Sequence, residues 1–184
     1  MTPTVTAIDT FAADIERGLT QEPKTLASKY FYDEQGDLLF QRIMAMPEYY
    51  LTKCEYEIFL QQADAIQHVL GPEPFDLIEL GAGDGMKTKV LLQHFLDRKI
   101  GFSYRPIDIS SSVLQQLVAD CAQAWPQLPV AAVQGDYMAA LRKISSEDKG
   151  RKKVILFLGS NIGNFHWTEA RRFLRQLRAM LNSG

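Results

Sequence analysis

The apolar positions of this 184-residue chain change rhythm once, at Gly71-Pro72-Glu73-Pro74. Upstream the spacing is helical. Ile8–Leu19 has the periodicity of a helix ending near Gly18. Asp33–Met46 places Leu38, Leu39, Ile43 and Met46 at mixed three- and four-residue intervals. Pro47 ends that helix, because proline disfavours helical geometry in the residue before it. Thr52-Lys53-Cys54-Glu55 reads as a capping box that opens a helix running to about Leu70, with Gly71 as its stop. Downstream, short apolar runs at Asp76–Leu80, Phe102–Ile107, Pro129–Val133 and Val154–Leu158 predict strands. Between them lie the helical patterns Lys87–Lys99, Ser111–Trp125 and Tyr137–Ile144, and a last helix starts near Thr168 and runs to about Leu181. Strand–helix alternation predicts a parallel sheet with helices on both faces, and right-handed crossovers make it a doubly wound, Rossmann-like α/β fold. The pattern divides the chain into an N-terminal helical segment, residues 1–71, and a Rossmann-like part, residues 72–184, of about four parallel strands.

Composition changes this picture little. Hydrophobic residues make up 46% of the chain, and 20 basic against 22 acidic side chains leave a net charge of −2. That is the balance of a globular domain, and it argues against a general nucleic-acid or membrane partner. Lys149, Arg151, Lys152 and Lys153 read as a solvated loop ahead of the fourth strand. No apolar run approaches the ~20 residues that span a bilayer. Met1–Thr10 lacks the basic-then-apolar order of a signal peptide, so a cytoplasmic protein is expected. Cys54 and Cys121 fall in predicted helices without metal-ligand spacing, as expected of buried free thiols in a reducing compartment. His68, His94 and His166 do not cluster, and no metal is expected.

Chemistry concentrates where the first predicted strand ends, in Gly81-Ala82-Gly83-Asp84-Gly85. In an open parallel sheet, ligands bind beyond the carboxyl ends of the strands. Glycines there let the backbone turn tightly and approach a ligand, and the helix opening near Lys87 presents free amides. A dinucleotide fingerprint needs glycine at position 86, and so does a phosphate-binding P-loop; both meet Met86. The remaining pattern, Glu79-Leu80-Gly81-Ala82-Gly83-Asp84-Gly85, resembles motif I of the class I S-adenosylmethionine methyltransferases. Two further polar loops keep it company. Asp108 ends the second strand, where a carboxylate can accept hydrogen bonds from both ribose hydroxyls of a nucleoside. Gly135-Asp136-Tyr137 follows the third, where Asp136 could take an adenine amino group and Tyr137 line the base. Asp108 could also serve as a helix cap, a task open equally to Ser110 or Ser111.

Several stretches carry a narrower resemblance: Lys29-Tyr30-Phe31-Tyr32-Asp33, Phe40 through Leu51 with Pro47-Glu48-Tyr49-Tyr50, Glu79 through Thr88, Pro106 through Ser110, Gly135-Asp136-Tyr137, and Leu158 through Phe165. Together, over about Lys24 to Phe165, the chain resembles the histidine Nα-methyltransferases of ergothioneine biosynthesis. The resemblance implies that Gly81 and Lys87 contact the methionine part of S-adenosylmethionine, with Gly83 in the same turn. It implies that Asp108 holds the ribose, and Asp136 with Tyr137 the adenine end. Tyr49 and Asn164 would bind the amino-acid substrate around its carboxylate and amine, with Tyr32 beside the amine being methylated. Tyr32, Tyr49 and Tyr50 could instead be packing aromatics, and Asn164 could cap the turn after the fourth strand.

The implied chemistry is displacement at a sulfonium methyl, which needs alignment of the reactants rather than a metal. An α-amine, with a pKa of ~8, loses its proton readily, and the Tyr32 and Tyr49 hydroxyls could orient its lone pair. By resemblance a complete methyltransferase sheet has about seven strands, and further substrate contacts come from residues after the fourth. This sequence is therefore expected to be a fragment, with the open sheet edge covered by a missing C-terminal part or by self-association. Alone, it is expected to bind S-adenosylmethionine or S-adenosylhomocysteine weakly, without efficient turnover. Two alternatives stand beside the histidine reading: a methyltransferase for another amino acid or indole amine, and a non-catalytic methyltransferase-like binding module.

Overall fold

The structure, a computed structural model, describes residues 7–31, 34–147 and 150–181. Three helices come first: α1 (Ala7–Thr20), α2 (Glu34–Met44) and α3 (Leu51–Leu70), with a 3-10 turn at Ser28–Phe31. Then β1 (Phe75–Leu80), α4 (Thr88–Asp97), β2 (Phe102–Asp108), α5 (Ser111–Ala124), β3 (Val133–Gln134), α6 (Tyr137–Glu147) and β4 (Lys152–Leu156) alternate. A 3-10 turn at Asn161–Asn164 leads into α7 (Trp167–Met180). The sheet order is β3-β2-β1-β4, with every pair parallel. The α/β alternation read from the sequence is thus present as a doubly wound sheet. Strand order reverses between β1 and β4, and in such sheets a crevice opens at the carboxyl ends where it does.

β1 is buried along its whole length, as a central parallel strand covered on both faces must be. Alternation sorts its side chains. Phe75 and Leu77 join a core with Phe59 and Ala63 of α3, Leu91 and Phe95 of α4, and Leu117 of α5. Ile78 and Leu80 join the other, with Ile107, Leu141 and Ile144 of α6, and Phe173 of α7. Through these side chains α3 packs into one helical layer of the α/β sandwich.

Four local expectations differ from what folds. α3 opens at Leu51 after Tyr50, without a side-chain cap; Thr52 is buried, and Glu55 is turned to a long-range partner instead. β4 starts two residues early because its pairing with β1 sets Phe75 opposite Lys152, so Lys152 and Lys153 belong to the strand. Lys152 Nζ donates to the Leu70 carbonyl at 2.7 Å. The third strand shortens to Val133–Gln134 with one bridge from Val130 to Tyr104. Cys121 is buried as expected, but Cys54 is exposed. Among the described residues no helix is long and apolar enough to cross a membrane.

Candidate active site

The glycine turn leaves β1 directly. Gly81 N and Ala82 N both donate to the Ile107 carbonyl of β2, at 2.8 and 3.1 Å, which ties the turn to the neighbouring strand end. Gly81 adopts φ +71°, and a Cβ on it would lie 2.7 Å from the Tyr137 hydroxyl and 2.8 Å from Asn161 Nδ2. Only glycine fits there, by backbone conformation and by space. Gly83, at φ +54°, is different: a Cβ would meet nothing within 4 Å. Its backbone borders open space, as does that of Gly135 at the end of β3.

Asp108 faces this turn. Its Oδ2 accepts from Gly83 N at 3.0 Å and its Oδ1 from Ser110 N at 3.0 Å. Burial pushes the carboxyl up from its ordinary value, while the Ser110 and Gly83 amides pull it down. The carboxylate is therefore fixed in place, and each oxygen keeps a lone pair for an incoming hydroxyl. The cap on α5 is Ser110, which leaves Asp108 for the turn. Asp136 sits exposed at the end of β3, where its Oδ1 caps α6 through Met138 N at 3.0 Å and Ala139 N at 3.2 Å. Tyr137 reaches from α6 across to Gly81, its ring packed against Phe157 and Phe173.

Beneath the turn lies Glu79, buried on β1. Thr88 Oγ1, at the start of α4, donates to its Oε1 at 2.6 Å, and the Tyr104 hydroxyl of β2 donates to its Oε2 at 2.5 Å. Burial, only partly offset by these two bonds, pushes its carboxyl up to about 7. Across the β1/β4 crevice stands a second carboxylate, Glu55 of α3. Lys87 Nζ donates to its Oε2 at 2.5 Å and Gly159 N to its Oε1 at 2.8 Å. Asn161 Nδ2 donates to the Leu158 carbonyl at 2.9 Å, which holds its amide over Gly81. The loop after β4 makes this possible by passing through left-handed Gly159 and Ser160.

Of the residues singled out from sequence, Gly81, Gly83, Lys87, Asp108, Asp136 and Tyr137 gather along the carboxyl ends of β1, β2 and β3. Tyr49 stands next to α3, its ring 6.0 Å from that of Phe40. Burial first, and then the charge of Glu55, hold its hydroxyl above the ordinary value, so at neutral pH it is a neutral donor or acceptor. Asn164 closes the turn after β4 and is exposed; among the described residues no hydrogen bond joins it to Tyr49. Tyr32 lies outside the described residues. Sequence reasoning missed Glu55 and Asn161 as members of the site. Glu55 is 32 residues from Lys87 and 104 from Gly159, so its local sequence pointed only to a helix start.

The residues present fit a nucleoside with an amino-acid tail. The open space at Gly83 and Gly135 admits a ligand against the backbone, Asp108 is fixed beside it, and the Lys87 ammonium stands at the far end. A doubly wound parallel sheet with this glycine turn and strand-end carboxylate has the architecture of an S-adenosylmethionine-dependent methyltransferase. Over residues 11–184 the chain matches the family described as histidine-specific methyltransferase, SAM-dependent, and it belongs to that family. It is 34% identical over 178 residues to a histidine N-alpha-methyltransferase of Mycolicibacterium smegmatis, covering 97% of this chain and 54% of that protein. It is 33% identical over 164 residues to ergothioneine biosynthesis protein 1 of Schizosaccharomyces pombe, covering 85% of this chain and 21% of that one. A solved structure of a putative S-adenosyl-L-methionine-dependent methyltransferase from Methanococcus maripaludis superposes over 88% of both chains, with 19% identity and a TM-score of 0.48. The chain spans about half the length of the histidine N-alpha-methyltransferase it matches.

Proposed function

We propose that this chain carries the donor-binding half of an enzyme that methylates the α-amine of L-histidine, stepwise to the trimethylated product, as in ergothioneine biosynthesis. The observation that supports it most is Asp108 held between Gly83 N and Ser110 N at 3.0 Å each, a preset carboxylate beside a glycine turn that borders open space. In this reading Asp108 accepts from the ribose hydroxyls and Asp136 with Tyr137 lines the adenine end. Gly81 and Gly83 give close backbone approach, and Lys87 meets the carboxylate of the methionine tail. S-adenosylmethionine supplies the methyl on a sulfonium that leaves readily, so the protein's work is alignment and exclusion of water. Residues 1–71 contribute to the substrate side. In this reading Tyr49, protonated, and Asn164 bind the amino acid around its carboxylate and amine, and Tyr32 is assigned to the amine being methylated. No residue is needed as a strong base, because an α-amine with a pKa of ~8 is substantially neutral after a small shift. The protein works in the cytoplasm.

Calorimetry with S-adenosylhomocysteine tests the donor half: measurable heat is expected, and its absence sinks the reading in favour of a non-catalytic module. Single-turnover assays with L-histidine, L-tryptophan and an indole amine, read by mass spectrometry, test the acceptor. Slow methylation with histidine preferred is expected from this chain alone. Preference for an indole amine would overturn the histidine assignment and leave the donor site standing.

A further inference from the structure

The carboxylate of Glu55 joins three parts of the molecule. It is carried by α3, it accepts from Lys87 Nζ at 2.5 Å, and it accepts from the Gly159 amide at 2.8 Å. Lys87 belongs to the loop after β1 and Gly159 to the loop after β4, so the two partners come from opposite walls of the crevice. The Lys87 and Glu55 side chains are only 17% and 25% exposed, which separates this pair from the freely solvated ion pairs that contribute little. A Cβ direction from Gly159 lies 3.5 Å from Lys87 Nζ and 3.7 Å from Asn161 Nδ2, and the same Asn161 atom overhangs Gly81. The ammonium, the amide and the glycine turn therefore border one space.

A lysine on a flexible four-carbon stem is a poor anchor unless something holds it. Its ammonium has three donors; one goes to Glu55, and the others are available to an anion in the crevice. We propose that Glu55 is a positioning residue, which presets the Lys87 ammonium and the Gly159 turn for the carboxylate of an amino-acid tail on a bound nucleoside. The same carboxylate ties α3, and with it the stretch that carries Tyr49, to the donor end of the site. The inference rests on reading the crevice as the S-adenosylmethionine site.

The test compares two ligands that share a nucleoside and a thioether sulfur. S-adenosylhomocysteine has the amino-acid tail, and 5′-methylthioadenosine lacks it. Glu55→Gln keeps the side-chain shape and an oxygen for Gly159 N but loses the charge that holds Lys87. Calorimetry should show S-adenosylhomocysteine weakened about tenfold and 5′-methylthioadenosine bound as by the parent. In a Lys87→Met background, Glu55→Gln should add nothing, because residues that act through one another are not additive. An equal loss on both ligands, no loss on either, or full additivity with Lys87→Met would overturn the role. If Glu55→Gln does not fold, Glu55→Asp carries the test. It keeps the charge one methylene short of spanning both partners, so the same tail-selective loss is expected, and an equal loss on both ligands overturns the role there too. A parent chain that binds neither ligand would instead overturn the site reading itself.

Discussion

Glu79→Gln separates the charge of the buried carboxylate from its hydrogen bonds. In the native chain Glu79 sits 2% exposed between Thr88 Oγ1 and the Tyr104 hydroxyl, with its carboxyl pushed up from 4.5 to about 7 by burial. The folded protein therefore holds this proton more tightly than the unfolded chain does. Below about pH 4.5 both states are protonated and the group is neutral in stability. As pH rises towards about 7, the unfolded chain ionises first and the folded state is progressively disfavoured. Above that, both are ionised and the penalty is constant. Between about pH 5 and about pH 8 the loss amounts to roughly 2–3 kcal/mol. Glutamine still accepts from Thr88, but it turns an NH2 towards Tyr104, at a cost of about 1 kcal/mol that does not vary with pH. Urea unfolding followed by circular dichroism, on parent and variant across that range, isolates the titration because all other groups cancel. The variant should gain roughly 2–3 kcal/mol relative to the parent as pH rises. A difference that stays flat would refute the account of Glu79 as a buried, proton-holding tie across the glycine turn.

Two further perturbations probe the turn itself. Asp108→Ala should weaken S-adenosylhomocysteine by ~2 kcal/mol, the worth of charged hydrogen bonds to two hydroxyls; unchanged affinity by calorimetry would remove Asp108 from the ribose. Gly83→Ala and Gly85→Ala should fail in different ways although both positions are left-handed. A Cβ at Gly85 would lie 2.6 Å from Leu117 Cδ1 of α5, so that variant should lose about 1–3 kcal/mol of stability to overpacking on top of the backbone strain that both share. A Cβ at Gly83 meets no protein atom within 4 Å. That variant should pay only about 1–2 kcal/mol of backbone strain while losing more ligand affinity than Gly85→Ala, and thermal melts with calorimetry showing the reverse order would refute the assignment of open space to the ligand.

What could be read from the chain alone was whatever depends on neighbours in sequence. Alternation of short apolar runs with helical spacing is a local property, and it yielded a parallel α/β sheet with strand positions correct to within a few residues. The glycine turn was legible for the same reason: Gly81, Gly83 and Gly85 all adopt positive φ, and Met86 had already set aside its dinucleotide and phosphate rivals. Asp108 was legible because a strand that ends in a carboxylate places it at the mouth of such a sheet whatever the packing.

Tertiary structure decided the rest, because it depends on residues that meet only when the sheet closes. Pairing with β1 moved the start of β4 to Lys152. Packing against the core turned Thr52 inward and sent Glu55 to Lys87, where sequence spacing alone had suggested a helix cap. Asn161 became a neighbour of Gly81 only because Gly159 and Ser160 turn the chain back over β1. Motifs written in adjacent residues are determined by backbone geometry, and the sequence carries them in full. A carboxylate shared by three segments is determined by which faces bury together, and that choice is made by the whole core at once.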